Sequence, residues 1–593
     1  VEGFRAIFRY FDNKAFTVGL QIGLGNISIF SQSHVGDNSE IGYQTYGIRL
    51  GSYDRNLLGF MKGDLIASTS LLGGLKYQKN KWFDGSNTLL GILNNIEDVK
   101  NNKDYKGIIL NLSGNSINRE MLWEIRERLV DLKNSGKKIV VYIDGAGMDL
   151  YHFASVADKI VMDPIAVIQL PGYSSSKTYM KGTLDKLGIG VDEWRFFKYK
   201  SAYEQLSREK ASEADREQRK ALIDDFYDLA KKDIVASRPN LANTFDDIVN
   251  NKVIISSNDA IKFGLVDTLA RPDDLEAIYE ALTNSKVGVT GIESAGKSKL
   301  PDDNSWGKKK KIAIIYAIGA CAMDEGINAR KLINDVRAAA LNPDVKAIVL
   351  RVDSPGGDGK ASDWIAEGLK KYAKNKPLIV SQGTVAASGG YWLSMYADTI
   401  VAAPNTITGS IGVIGGWIYN KGLSGWTGLS SDIVTKGDKA DLLSGITLPI
   451  LGITMPDRNL TAEEKNKIKD FFIEYYEIFK GKVAVGRKRS VEEIEKIAQG
   501  RVWSGIDGLS NGLVDVQGGL LDAIKIASKK ANLTEYEIIE YPAQPLFDFG
   551  SLLGIPKILS LESNEFIKDL KLRLQYNGLP LFMIPSDYND LLY

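Results

Sequence analysis

The sequence predicts an α/β protein built from two tandem copies of one domain, with a β-rich segment in front of them. Three observations carry that prediction. The chain repeats itself at an offset of 240 residues, so that Asp104-Tyr105-Lys106-Gly107-Ile108 matches Asp344-Val345-Lys346-Ala347-Ile348, Tyr151 matches Tyr391, and Ala157-Asp158 matches Ala397-Asp398. Self-similarity over such a span marks a duplicated unit. Each copy alternates short apolar runs with amphipathic stretches of helical length, the pattern of parallel strands joined by crossover helices. Both copies close on Gly-Leu-Val-Asp, at residues 264–267 and 512–515.

Taken in order, residues 1–75 alternate small, polar and apolar residues from Ala15 to Phe30 and from Glu40 to Ser52, and they read as consecutive antiparallel strands. Two readings stay open for this segment: the end of a membrane barrel with an apolar outward face, or part of a soluble β domain. Residues 76–283 are the first copy, with a buried strand from Gly107 to Leu112, a helix from Arg119 to Asn134, a second strand, and a helix beginning near Tyr151. Residues 284–311 are polar and basic without helical or strand period, and read as a linker. Inside it, Gly291 to Ser298 matches the phosphate-loop pattern, but Pro301 prevents a helix from following closely, so the match reads as chance. Residues 312–535 are the second copy, with a strand from Ala347 to Val352 and a helix from Ala361 to Lys374. Residues 536–593 form a C-terminal extension without a chemical signal.

A chain of 593 residues that is 44% hydrophobic and 25% charged has the composition of a globular protein. Its 74 basic and 74 acidic residues cancel, which argues against nucleic acid as the partner and fits a peptide or other neutral substrate. The single cysteine, Cys321, excludes an intrachain disulfide, and with only His34 and His152 beside it a Cys/His zinc site is excluded too. No metal or cofactor is expected. No run of eighteen apolar residues and no leader-like segment occurs, and the chain starts at Val1, which leaves a preceding targeting or anchoring segment open.

The chemistry concentrates at Ala386-Ala387-Ser388-Gly389-Gly390-Tyr391, which follows the apolar run Leu378-Ile379-Val380, with Ser354-Pro355-Gly356-Gly357 about thirty residues upstream. A tetrahedral acyl intermediate needs convergent N–H donors near the attacking oxygen, and glycines let the backbone approach. The pair therefore suggests a serine nucleophile, Ser388, with a backbone oxyanion hole. Small residues also let a helix pack closely on a sheet, which is the bland reading of either motif alone. A histidine base is improbable: His34 lies in the N-terminal segment, and His152 aligns near Trp392 and reads as a packing residue. The remaining activator at neutral pH is a desolvated lysine, and holding an ordinary lysine neutral at pH 7 costs roughly 4 to 5 kcal/mol.

Arg351-Val352-Asp353-Ser354-Pro355-Gly356-Gly357, Ala387-Ser388-Gly389-Gly390-Tyr391-Trp392, Thr408-Gly409-Ser410-Ile411-Gly412 and Gly500-Arg501-Val502-Trp503-Ser504-Gly505, together with the closing Gly-Leu-Val-Asp, resemble the signal peptide peptidase A family in its long, duplicated bacterial form. The resemblance covers about residues 85 to 535 and leaves out residues 1–75. It implies two crotonase/Clp-protease-like α/β domains and a serine endopeptidase with a Ser/Lys dyad. It also implies a homo-oligomer, a tetramer in the family, on the periplasmic side of the cytoplasmic membrane, degrading cleaved signal peptides and other unstructured apolar peptides. By motif, Ser388 is the expected nucleophile and Lys200, in Tyr199-Lys200-Ser201-Ala202 of the first copy, the expected base. Ser410 is expected to orient the amine, and the N–H groups of Gly389 and Gly357, with Gly356 as the nearby alternative, to form the oxyanion hole. Lys439 is the alternative base, since it lies near the repeat equivalent of Lys200 and at the spacing of single-copy family members. A crotonase-like acyl-thioester enzyme and a catalytically silent peptide-binding envelope scaffold are the competing functions.

Overall fold

The computed structural model describes residues 3–51, 57, 64–297, 307–448, 453–544 and 572–585. The N-terminal alternation resolves into an antiparallel meander of β1 (Phe4–Tyr10), β2 (Phe16–Leu24), β3 (Ile27–Val35) and β4 (Ile41–Leu50), paired in that order.

The first repeat unit follows as β5 (Leu65–Ser70), β6 (Tyr105–Asn111), α1 (Arg119–Asn134), β7 (Lys138–Ile143), α2 (Met148–Ala154), β8 (Lys159–Met162), β9 (Ile189–Trp194), α3 (Glu213–Ser237), β10 (Thr268–Leu269) and β11 (Gly288–Gly291). Ile108, Leu110 and the run Ile139-Val140-Val141 have no exposed surface. Near-continuous apolar strands of this kind belong to a parallel sheet covered on both faces. The sheet they form is parallel throughout, in the order β10-β8-β7-β6-β5-β11. Two boundaries therefore differ from those the sequence suggests. The sheet starts at Leu65, inside the span read as β-rich leader, and the span read as linker supplies its edge strand at Gly288–Gly291. A four-residue edge strand with a glycine at each end carries too little apolar pattern to be seen in the sequence. Ser298 of the phosphate-loop pattern lies outside the described residues.

The second unit comprises β12 (Lys311–Ile318), β13 (Cys321–Ala322), β14 (Val345–Ser354), β15 (Gly356–Asp358), α4 (Gly359–Tyr372), β16 (Leu378–Ala387), α5 (Gly389–Ser394), β17 (Thr399–Ala402), β18 (Ile407–Gly409), β19 (Gly415–Asn420), β20 (Val502–Ser504), β21 (Val516–Gln517) and β22 (Glu537–Tyr541). Its main order, β21-β17-β16-β14-β12-β22, repeats that of the first sheet strand for strand. The far end of β16 also pairs with β18, which carries β20 antiparallel. The repeated residues make the same bonds in both units. Tyr151 and Tyr391 donate to the carbonyls of Leu265 and Leu513 at 2.9 and 3.0 Å. Asp267 and Asp515 accept from the N–H of Ile160 and Ile400 at 2.7 and 2.8 Å, which is what the shared Gly-Leu-Val-Asp does.

The two units share one interior. Ile312, Ile314, Ala347 and Val349 of the second sheet belong to the same apolar cluster as Ile108, Leu110 and Ile125 of the first unit. Buried in the joint, Arg351 on β14 meets Glu120 and Glu124 of α1, at 3.0 and 2.7 Å. Two carboxylates against one guanidinium leave a surplus negative charge, and burial pushes the Glu120 carboxyl well above the usual carboxylate range. The C-terminal extension contributes one further strand, β23 (Leu581–Met583), antiparallel to β15.

Candidate active site

β16 is buried along its whole length and ends where Ser388 turns the chain into α5. Ser388 has φ +56° and ψ −112°, a conformation that costs a residue with a Cβ about 1 to 3 kcal/mol and persists only where its surroundings hold it. Its N–H donates to the Gly409 carbonyl at 2.8 Å, and its carbonyl accepts from Trp392 N at 2.9 Å. The glycines after it are required by close approach. An ideal Cβ on Gly390 would stand 2.5 Å from the Ser354 carbonyl oxygen, and one on Gly389 would stand 2.6 Å from Ser362 Oγ and 3.2 Å from Gly357 N.

Lys200 reaches this point from the first unit. β9 pairs antiparallel with β19 over its full length, which carries the chain across to the second unit just before residue 200. The following turn is tied down from both sides. Tyr199 N donates to the Gln499 carbonyl at 3.0 Å, and Gln218 Nε2 donates to the Tyr199 carbonyl at 3.2 Å. Ser201 Oγ donates to the buried Asp215 at 2.5 Å. Gly500, at φ +78°, leaves room for the lysine stem, because an ideal Cβ there would lie 2.7 Å from Lys200 Cβ. The amine then lies 2.7 Å from Ser388 Oγ, 2.9 Å from Ser410 Oγ and 3.0 Å from the Ser410 carbonyl oxygen, all within hydrogen-bond reach. Ser410, itself at φ +52°, is fixed by its N–H to the Arg501 carbonyl at 2.7 Å and its hydroxyl to the Gly500 carbonyl at 3.1 Å. The motifs at 408–412 and 500–505, with Gln499 beside the second, are thus the frame that holds one lysine.

The electrostatics follow from the partners. Lys200 is 1% exposed, and the oxygens it touches are neutral, so no neighbouring charge offsets its lost hydration. Burial holds the amine well below the ordinary lysine range.

Gly356 and Gly357 border the same point. Gly357 has φ +148°, and an ideal Cβ on it would stand 2.3 Å from the Cys321 carbonyl oxygen. The Gly356 N–H donates to Ser354 Oγ at 3.2 Å, which commits it elsewhere and favours Gly357 over Gly356 as an oxyanion donor.

The remaining sequence candidates lie apart. Lys439 is half exposed and pairs with Glu464 at 3.3 Å. His34 stands on β3, 2.9 Å from Thr17. His152 is buried against Asp233 at 2.9 Å, and burial lowers its imidazole below the usual histidine value. Cys321 is buried, and burial raises its thiol. Among the described residues no cluster of His, Cys, Asp and Glu could hold a metal ion, and no helix is long and apolar enough to cross a membrane. Sequence reasoning missed the extension's part. Leu581-Phe582-Met583-Ile584, an apolar run enclosed by Pro580 and Pro585, lies on β15 beside the serine.

Comparison with known proteins identifies the family. The model of peptidase family S49 matches residues 131–286 and 370–534, more than half of the chain. "Serine protease SPPA, chloroplastic" of Arabidopsis thaliana is 30% identical over 488 residues, covering 80% of this chain and 70% of that protein. "Protease 4" of Salmonella typhi is 33% identical over 519 residues, covering 84% and 78%. "Putative signal peptide peptidase SppA" of Enterococcus faecium is 32% identical over 231 residues, covering 39% and 64%. With two family regions on a duplicated α/β fold, and a buried lysine bonded to a strained serine, this chain belongs to peptidase family S49 and is a serine protease.

Proposed function

We propose that Ser388 is the nucleophile and Lys200 the general base of a dyad that hydrolyses peptide bonds in unstructured, apolar segments. The observation that carries this is the 2.7 Å bond from the Lys200 amine to Ser388 Oγ, made by an amine that burial has depressed. The neutral amine takes the hydroxyl proton as Oγ attacks the peptide carbonyl. The N–H groups of Gly357 and Gly389 stabilise the developing oxyanion. The protonated amine then gives its proton to the leaving nitrogen, and the same amine activates the water that hydrolyses the acyl-enzyme. Ser410 is a positioning residue, since its hydroxyl and carbonyl both hold the amine.

Cleaved signal peptides are the substrate class we propose, on the family and on the name of the Enterococcus relative. On the same grounds we propose that the enzyme works in a bacterial envelope, at the periplasmic face of the cytoplasmic membrane, as a homo-oligomer. The domain division we propose is 76–283 and 312–535, the first supplying the lysine and the second the serine, with their sheets extended by the edge strands described above.

Casein hydrolysis by the parent, Ser388→Ala, Lys200→Ala and Lys439→Ala at equal helical content tests the reading. Loss in the first two variants with retention in the third is expected. Loss with Lys439→Ala instead, or an inactive parent, overturns it.

A further inference from the structure

The C-terminal extension lies along the strand that bears Gly357. β23 lies antiparallel to β15, with Gly356 opposite Met583, Gly357 opposite Phe582 and Asp358 opposite Leu581. Ile584 N donates to the Pro355 carbonyl at 3.0 Å. On its other edge, Leu581 exchanges two backbone bonds with Ile414, at 2.8 and 3.0 Å. Residues 581–584 therefore bridge the strand that bears Gly357 and the chain that leaves Ser410, which is how an extended peptide adds to open sheet edges. The side chains are seated as well as the backbone. Phe582 packs edge-on to Trp392, the fourth residue after the serine, with centroids 5.0 Å apart. Met583 lies in the cluster that holds Ala202, and Ile584 in the one that holds Ala387. Ser388 has no exposed surface beneath them.

We propose that this C-terminal segment is a self-ligand, an extended apolar strand that substrate must displace before Ser388 can react. The idea rests on the nucleophile assigned above. Its test compares the parent with a chain ending at residue 571, on a fluorogenic apolar peptide and on a small fluorophosphonate. The shortened chain is expected to hydrolyse the peptide about tenfold faster, since only the open fraction of the parent binds. A synthetic peptide covering 580–585 is expected to inhibit it competitively. Ile584→Asp in the full chain, which loosens the seat without deletion, is expected to act in the same direction. Equal rates in the parent and in a folded variant, with no inhibition by the peptide, overturn the self-ligand. Fluorophosphonate that never modifies Ser388, even in the shortened chain, overturns the nucleophile and with it this proposal.

An independent observation concerns the N-terminal sheet, whose polarity is inverted. Directly opposed residues share a face, so the register puts Phe4, Phe8, Leu20, Ile22, Ile29 and Ile48 on one side. These six are 39% to 69% exposed. The three arginines of the four strands, Arg5, Arg9 and Arg49, all lie on the other face, where Thr17 is 2% and Ser28 0% exposed. A water-soluble sheet buries its apolar side. This one leaves its apolar face open and without a single charge, while on the polar face only small groups such as Thr17 and Ser28 are covered and Arg5 and Arg9 stay exposed. Its strands of 7 to 10 residues are roughly 24 to 34 Å long at the usual rise, which at a tilt of about 40° gives a height of about 18 to 26 Å, against an apolar band of about 25 Å on outer-membrane barrels.

We infer that the occupant of this face is bilayer hydrocarbon, the sheet being a sector of a membrane β-barrel whose edges at β1 and β4 pair with further strands, as backbone in lipid requires. The full chain, reconstituted in phosphatidylcholine–phosphatidylglycerol vesicles, tests it with bimane on cysteines placed at Leu20 or Ile48 and, on the polar face, at Gln32 or Thr45; Cys321 is buried and stays unlabelled. Quenching by nitroxide lipid at positions 20 and 48 but not at 32 and 45 is expected. A chain that fails to float with the vesicles, or equal quenching on both faces, overturns the inference.

Discussion

Replacing Lys200 by methionine keeps the length of the stem and removes the charge, so one substitution reads both the chemistry and its energetic cost. The side chain is 1% exposed, and among the described residues its amine bonds to Ser388 and Ser410 alone. Loss of the general base is expected to lower kcat/KM by about 10³-fold, near 4 kcal/mol at 1.4 kcal/mol per decade. Stability is expected to move the other way. The amine is depressed in the folded protein by desolvation and is ordinary, near 10.4, once unfolded. Between those two values the unfolded chain binds the extra proton, so the parent gains stability as pH rises through the window, by up to about 1.4 kcal/mol per unit. Methionine escapes that penalty. The variant is therefore expected to be the more stable protein at pH 7, with its advantage shrinking towards pH 10. Urea unfolding of both chains at pH 7, 8.5 and 10 measures the gap, while other titrating groups cancel in the comparison. In the parent, kcat/KM is expected to rise with pH through a transition below the ordinary lysine range. A stability gap that does not change with pH, or activity within tenfold of the parent, would refute the reasoning.

Lys439→Ala is expected to leave kcat within about twofold and to cost no more than about 0.5 kcal/mol, because it breaks only a surface ion pair with Glu464; a casein assay and a melting curve check both. Glu124→Ala is expected to cost about 3 to 5 kcal/mol in urea unfolding, since it strips the buried Arg351 of a partner. Glu120→Gln, which mimics the protonated carboxyl that burial favours, is expected to stay within about 1 kcal/mol of the parent in the same measurement. Gly357→Ala forces a Cβ to 2.3 Å from a backbone oxygen and displaces a proposed oxyanion donor, so kcat is expected to fall about 10² to 10³-fold while far-UV circular dichroism is kept.

The duplication was legible because both units must place the same tyrosine and the same aspartate to close their sheets, and those bonds preserve letters in the sequence. Ser388 was legible for a related reason: the close approach of Gly389 and Gly390 to residues 354 and 362 admits no other residue, so the elbow is written in small residues. Lys200 was not legible from spacing. Its placement against Ser388 is set by the β9–β19 ladder and by the absence of a side chain at Gly500, contacts between residues about 220 to 300 positions apart that leave no local period. Resemblance alone singled it out. The edge strand at Gly288–Gly291 and the strand at Leu581–Met583 escaped because they are four and three residues long, too short for alternation to be counted. The inside-out character of the N-terminal sheet needed the strand register, which sequence left open between two faces.

The amine and the hydroxyl stand 188 positions apart, on opposite halves of a duplicated chain. In the roles proposed for them, a polypeptide still emerging from synthesis, or clipped between its halves and separated, holds a lysine with nothing to deprotonate or a serine with nothing to awaken it. Reactivity therefore arrives last, as a property of the closed joint between the units and of neither unit by itself. With the proposed dyad split in this way, an unfinished molecule has nothing yet to restrain.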